Sequence, residues 1–363
     1  MAVRRVAPKA FPLLFFPCFN HRPRPKGIPV PVFKAFARHL THSFCGIALL
    51  VAAGAAMAAD APVKISFRLD WSVYGTHAPF YLAMSKGLYA REGLDVQVEE
   101  GQGSGTSAKL VAQGNDQMGF VDFTSMIRGI EQGMPLIAVM RVVSNNMCII
   151  SQAATPVRSP KELEGKAIAF APSESTAQMF PALVASQKVD MGKISVMNPA
   201  FGAKNALLLQ QRVDAITASV NVQVAQVEAQ GAKVAFFPYS DFGVNMMNNG
   251  IVANRDFVAN NPEALKRFLR VTRDAFLAAK ANPKEAIDAL IKLRPQEERN
   301  RATLMRQLEL SPPLYETANT RGKPFGYMDT RDWAETQDLL VKYGGLPRAL
   351  PVDTLFTNAY LPE

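Results

Sequence analysis

The sequence predicts an α/β chain with two doubly wound sheets. Three features carry that reading: short apolar runs alternate with helical stretches that end in glycine, the cadence restarts after residue 166, and a mostly helical tail closes the chain. A body of 305 residues, 363 minus an expected leader of 58, exceeds one typical hydrophobic core, so two similar lobes are expected.

From Val63, "VKISFRLDW" alternates as a strand, and "APFYLAMSKG" follows as a helix with Pro79 near its start and Gly87 as its stop. The pairs "LDVQVEE" with "GTSAKLVAQG" and "QMGFVD" with "FTSMIRGIEQG" repeat the unit, and "PLIAVMRVV" adds a strand. After "SPKELEGK", a surface turn and short helix, the series restarts: "AIAFA" leads to "SESTAQMFPALVASQ", "ISVMN" to "AKNALLLQQ", "DAITAS" to "NVQVAQVEAQG", and "AKVAFF" ends it. The tail offers Asn261 as N-cap, Pro262 at the first helical position, and a stripe of Leu265, Phe268, Leu269, Thr272, Phe276 and Leu277 at helical spacing. Further helices are expected around "PKEAIDALIKL" and "TRDWAETQDLLVKYG", the last ended by Gly344.

The net charge of +9 misleads until it is located. Residues 1–58 hold eight Lys and Arg and no acid, so 40 − 8 = 32 basic side chains face 31 acidic ones in residues 59–363, a balance of +1. A nucleic-acid-binding body loses its main support. Lys34 and Arg38 precede the apolar run "FCGIALLVAAGAAMA", which ends in small residues at Ala56-Met57-Ala58, and this reads as a signal peptide cleaved after Ala58. The Pro-rich residues ahead of it suggest a start assigned too far upstream. Cys18 and Cys45 fall in the leader, leaving Cys148, a buried apolar residue by expectation, and His77 as the one histidine beyond residue 58. Zinc sites of several histidines and Ser-His-Asp chemistry therefore have little raw material. No cofactor and no metal are expected.

In open α/β sheets, ligands bind beyond the carboxyl ends of the strands, where helix N-termini aim free N–H groups at them. Applied here, the rule selects Trp71, His77, Phe80, Ser104, Thr106, Phe123, Thr124 and Asn145 on the first lobe, and Ser173, Ser175, Asn198, Asn221 and Tyr239 on the second. "GQGSGTS" (101–107) suits close approach of a ligand to backbone; it reads equally as a flexible loop whose Thr106 or Ser107 caps a helix. Trp71 either stacks on a planar ligand or is a core aromatic under the hinge. His77 either donates to a ligand or caps the helix from 78 to 86. Phe80 and Tyr81 are adjacent, so one of them is expected in the core. Asp70, Asp122 and Glu174 are scattered and form no matched acid and base.

The pieces "LDW" (69–71), "HAPFYLAMSKGLYAREGLDV" (77–96), "KLVAQGNDQMGFVD" (109–122), "SPKELEGKAIAF" (159–170), "VANRDFVANNPEALKRFLR" (252–270) and "GYMDTRDWAE" (326–335) run in one order along the chain. Together they resemble the solute-binding proteins of ABC importers, in the group of thiamine-pyrimidine-precursor, sulfonate, taurine and nitrate binders. That resemblance implies a bilobed periplasmic-binding-protein fold of type II. Its lobes would span 59–147 with 250–363, and 148–249, with crossings near Asn145 to Ile150 and Asn248 to Val252.

It also implies a periplasmic monomer that captures a small molecule, either a pyrimidine-like heterocycle or a sulfonate or other small anion. The protein would deliver it to an ABC permease and ATPase at the inner membrane. A periplasmic sensor of the same fold is the alternative, and a thiamine-pyrimidine synthase-like enzyme a more remote one; the Cys-rich motif of the fungal synthases has no counterpart here. Pyrimidine-precursor binders of the group place acids near positions 125 and 223 and an aromatic near 220, where this chain has Ser125, Gln223 and Val220, which counts against that ligand. An anion would use the helix N-termini and hydroxyls named above. Arg68, Arg128 and Arg141 read as surface or strand-edge residues and not as ligand clamps.

Overall fold

The computed structural model describes residues 61–172, 174–200 and 203–362; the expected leader and Ser173 lie outside the described residues. Along the chain come β1 (Val63–Arg68), α1 (Ala78–Ser85), α2 (Leu88–Arg91), β2 (Leu94–Glu99), α3 (Ser104–Ala112), β3 (Met118–Asp122), α4 (Phe123–Glu131) and β4 (Leu136–Arg141). Next are β5 (Met147–Gln152), β6 (Ala167–Ala169), α5 (Ser175–Gln178), α6 (Phe180–Ser186), β7 (Ser195–Met197), α7 (Lys204–Leu209), β8 (Ala215–Ser219), α8 (Ala225–Glu228), β9 (Val234–Pro238) and β10 (Asn249–Asn254). The tail holds α9 (Arg255–Asn260), α10 (Pro262–Ala281), α11 (Pro283–Leu293), α12 (Arg301–Glu309) and α13 (Thr330–Lys342). No helix among the described residues is long and apolar enough to cross a membrane.

The strands form two five-stranded sheets, ordered β2-β1-β3-β10-β4 and β7-β6-β8-β5-β9. The two orders are the same pattern. In each, parallel strands from βα units flank one strand that runs against its neighbours, β10 in the first sheet and β5 in the second. Both reversed strands follow a crossing of the chain between sheets, and the two crossing segments meet at a bridge between Ser144 and Met247. The central strands are apolar on both faces, as sheets covered by helices require: Met118–Asp122 is buried throughout.

Sequence chemistry places the element ends. Asp122 caps α4 by accepting from the N–H groups of Thr124 and Ser125, and Asn254 caps α9 through Asp256 N–H. The helix expected after residue 173 is broken into α5 and α6, because Pro181 lacks the N–H that would bond the Ala177 carbonyl. The helix expected after β8 opens with a π-turn over Val220–Val224.

Three packing expectations need correction. Phe80 and Tyr81 are both buried, because α1 is covered on two sides. Phe80 sits among Phe67, Phe120 and Phe276 under the first sheet, while Tyr81 joins the cluster with Ile287, Leu290 and Leu304. Leu277 falls off the buried stripe of α10 and is 46% exposed, since the stripe drifts around the helix over three turns. Arg141 is no surface residue: it is 1% exposed, and its guanidinium donates to the Tyr327 carbonyl (3.2 Å) and the Thr320 hydroxyl (3.1 Å). It pins the tail onto the end of β4, and burial lowers its pKa to about 10.

Candidate functional site

At the carboxyl end of β1 the chain turns at Asp70, whose carboxylate takes three hydrogen bonds. Oδ1 faces His77 Nε2 at 2.9 Å, while Oδ2 accepts from the Tyr74 hydroxyl (3.1 Å) and from Asn249 Nδ2 on β10 (3.0 Å). The other ring nitrogen of His77 accepts the Tyr74 N–H at 3.3 Å, so the ring proton belongs on Nε2 and is donated to Asp70. His77 is fully buried and orients this carboxylate instead of opening to the cleft. Phe80, two residues into α1, turns into the core with 1% exposure.

The glycine loop after β2 divides its three glycines among three tasks. A Cβ on Gly101 would lie 2.0 Å from the Leu69 carbonyl oxygen, so this glycine lets the loop press against the end of β1. Gly103 adopts φ +105° beside the Trp71 ring, a conformation that side chains resist. Only Gly105 meets nothing within 4 Å, and it is the one glycine of the three whose bare backbone faces open space. Ser104 accepts the Asp122 N–H (3.0 Å), Thr106 is exposed on the first turn of α3, and Trp71 is half-buried next to them.

Asp122 ends β3 and caps α4. All three cap bonds converge on Oδ1, from Thr124 N–H (2.9 Å), Ser125 N–H (3.4 Å) and the Thr124 hydroxyl; Oδ2 takes no part in the cap. Burial raises this carboxyl to about 6 against the pull of those bonds, and the neighbouring Asp70 charge raises it further. Phe123 beside it is fully buried against Trp333, with ring centroids 4.9 Å apart.

On the second sheet, Ser175 is half-buried in the first turn of α5 and Asn198 is exposed after β7. Tyr239 is 1% exposed and donates its hydroxyl to the Thr176 carbonyl at 3.1 Å, under the cleft surface and not on it. Asn221, in the π-turn, donates to the Thr76 hydroxyl of the first lobe (3.0 Å) and accepts from Asn146 Nδ2 (3.3 Å). Asn145 lies in the crossing segment with φ +55° and accepts the Met246 N–H at 2.8 Å. It also lines a cavity of about 90 Å³ beside the crossings, together with Asn245, Thr317, Asp332, Glu335 and Thr336.

Thus Trp71, Ser104, Thr106 and Thr124 gather at one end of the first sheet, and Ser175 and Asn198 stand at the matching end of the second. Two features escape sequence reasoning. Lys204, the first residue of α7, is 4% exposed and ion-paired with Glu174, the N-cap of α5, which is 11% exposed. A lysine at a helix N-terminus opposes the helix dipole, and that mismatch was the available signal for a nearby carboxylate. Asn248, on the return crossing, is 1% exposed; its Oδ1 accepts the Asn146 N–H (3.1 Å) while Nδ2 has no partner among the described residues.

Two sheets of one topology, joined by paired crossings and bearing polar loops at their matching ends, define a two-lobed binding-protein fold. Residues 75–286 match the family described as NMT1/THI5 like, and the chain belongs to that family. It is similar to the riboflavin-binding protein RibY of Chloroflexus aurantiacus, 25% identical over 290 residues that cover 78% of this chain and 82% of that one. It is also similar to the formylaminopyrimidine-binding protein of Halalkalibacterium halodurans (24% identical; 82% and 91% covered). A further relative is a 4-amino-5-hydroxymethyl-2-methylpyrimidine phosphate synthase of Saccharomyces cerevisiae (22% identical; 82% and 88% covered). Among solved structures, the alkanesulfonate-binding protein SsuA of Xanthomonas axonopodis bound to MOPS superposes with a TM-score of 0.61 at 15% identity, covering 82% of this chain and 98% of SsuA.

Proposed function

We propose that the chain is the periplasmic substrate-binding component of an ABC importer, exported by a cleaved signal peptide. It captures one small molecule between its lobes and delivers it to a membrane permease with its ATPase. The ligand docks on the loops around Trp71, Ser104 and Thr124, and hinge closure about the crossings brings Ser175 and Asn198 against it. Binding is favoured over turnover by the state of two reactive groups: His77 is committed to Asp70, and burial pushes the Cys148 thiol far up.

Within this reading the ligand is an uncharged nitrogen heterocycle bearing N–H donors, in preference to a sulfonate or nitrate. The carrying observation is the charge at the strand ends. The first lobe presents Asp70 and Asp122, while the cation of the second lobe, Lys204, is neutralised by Glu174. Arg68 is paired with Asp116 at 2.9 Å, and Arg141 is spent on the tail. A lone anion would meet two carboxylates there, and Lys204, Arg68 and Arg141 are each committed to protein partners, whereas a ring N–H meets an acceptor. The names of RibY and of the formylaminopyrimidine-binding protein, which specify nitrogen heterocycles, support this choice.

A thermal-shift screen tests it: riboflavin or an aminopyrimidine at 100 times its Kd should stabilise the protein by about 2.7 kcal/mol, because ligand that binds only the folded state shifts unfolding by mass action. A shift with alkanesulfonates or nitrate alone would overturn the heterocycle assignment. Trp71→Ala is expected to weaken a planar ligand by about 0.5–1.5 kcal/mol beyond its lost contact area, and calorimetric titration checks it.

A further inference from the structure

The lobes meet at a third place besides the two crossings. Helix α12 belongs to the first lobe, where Leu304 and Leu308 are buried with Tyr81 and Leu82 of α1 and Ile287 of α11. Its outer face reaches the second lobe. The Gln307 side chain, 2% exposed, accepts the Gly75 N–H at Oε1 (2.9 Å) and donates Nε2 to the Val222 carbonyl in the π-turn (3.3 Å). One turn on, the Ser311 hydroxyl lies 2.7 Å from that of Thr76, which in turn accepts from Asn221 Nδ2 at 3.0 Å. Leu310 packs against the second-lobe cluster that holds Cys148, Val220 and Val224. Within the first lobe α12 is seated closely on the turn at Gly75, where a Cβ would sit 2.1 Å from the Leu304 carbonyl oxygen, so Gln307 is held in place for its bond to the second lobe.

We propose that Gln307 and Asn221 form an interlobe latch: they are positioning residues that hold the lobes together without ligand and so set how readily the cleft opens. Each amide carries one bond between the lobes. Gln307 of the first lobe, which also holds Gly75, donates to Val222 of the second, and Asn221 of the second lobe donates to Thr76 of the first while accepting from Asn146 of the crossing. Moving the lobes apart breaks one bond of each amide at a place where less than 3% of the side chain meets water, so neither loss is offset until the gap floods. The nearby Arg306–Glu228 pair (3.0 Å) also spans the lobes, but both partners are at least a third exposed and it adds little. The inference rests on the reading that the lobes move about their crossings; it does not depend on which ligand they hold.

Electron-electron distance measurements on the ligand-free protein test it. Spin labels go on Ala90→Cys of the first lobe and Ala185→Cys of the second, both exposed, with Cys18→Ser and Cys45→Ser; Cys148 is fully buried. The parent should show one main distance. Gln307→Glu keeps the acceptor for Gly75 N–H but turns a carboxylate on the Val222 carbonyl, so it isolates the bond between lobes. Gln307→Glu and Asn221→Ala should each add a longer-distance population, shifting the open-to-closed ratio by roughly tenfold, while Arg306→Ala shifts it far less. Unchanged distances in both Gln307→Glu and Asn221→Ala would overturn the latch, as would a parent whose main population already has the longer distance. A screen in which no solute stabilises the protein would count against the importer reading and leave these distances as informative as before.

Discussion

Glu174→Gln should destabilise the protein by about 3–5 kcal/mol, the usual cost of leaving one member of a buried ion pair without its partner. The amide keeps the size of the side chain but leaves the Lys204 ammonium, 4% exposed, with no counter-charge at the positive end of α7. Burial already lowers the Lys204 pKa, and the Glu174 carboxylate opposes that shift. Removing the carboxylate lowers it further, so the sign of the pH dependence follows. A lysine whose folded pKa lies below its unfolded value makes the fold gain stability as pH rises between the two. The defect of Glu174→Gln should therefore be largest near neutral pH and shrink as pH climbs toward the ordinary lysine range. Adding Lys204→Met should recover most of the loss, because two apolar or neutral groups of similar volume replace the pair. Urea unfolding at two pH values measures all of this; a double variant as unstable as Glu174→Gln would show that the carboxylate acts through the α5 cap and not through the lysine.

Why that pair escaped sequence reading shows where legibility ends. The alternation of strands and helices was open to view because period-2 runs such as "VKISFR" and stops such as Gly87 act locally, within one element. The rule placing ligands beyond strand ends selected loops that the fold does set after β1, β2 and β3, and Asp122 followed by Phe123 is a capping signal readable in two residues. Burial of a polar side chain is different, since it depends on what folds over it from far along the chain. Lys204 looks solvated in "AKNALLLQQ" until Glu174, thirty positions earlier, comes to lie against it. Arg141 does end the edge strand β4, but it looks solvated until residues 320 and 327 of the tail cover it. Phe80 failed for the same reason: a helix expected to show one face to the cleft is enclosed by α10 and α11, which start 182 or more residues later. Asn221 was placed at the correct strand end, but its partners are protein groups of the other lobe, which no local pattern can announce.

Asp122→Asn should raise stability and lower affinity at once, and the opposite signs separate a ligand contact from a helix cap. The carboxyl titrates near 6 in the fold against 3.8 in a free chain, and burial is the main cause. With the folded pKa raised, its contribution to stability is fully present below about pH 4 and is lost as pH rises through about 6. Asparagine keeps an oxygen for the N–H groups of Thr124 and Ser125 but cannot ionise. The variant should therefore be more stable than the parent above pH 7, on the order of 1–3 kcal/mol, with the slope between pH 4 and 6 flattened. A ring N–H donating to Oδ2, the oxygen that the cap does not use, gains most from the ionised carboxylate. Losing that charge-assisted bond costs about 1.5–3 kcal/mol, or roughly 10- to 150-fold in Kd. The parent's affinity for such a heterocycle should also strengthen as pH rises through 6, and the variant's should not. Calorimetric titration with riboflavin or an aminopyrimidine at pH 5 and pH 7.5 reads both effects. Equal affinity of parent and variant at pH 7.5 would reduce Asp122 to its role at the start of α4 and remove the charge argument for an N–H-bearing ligand.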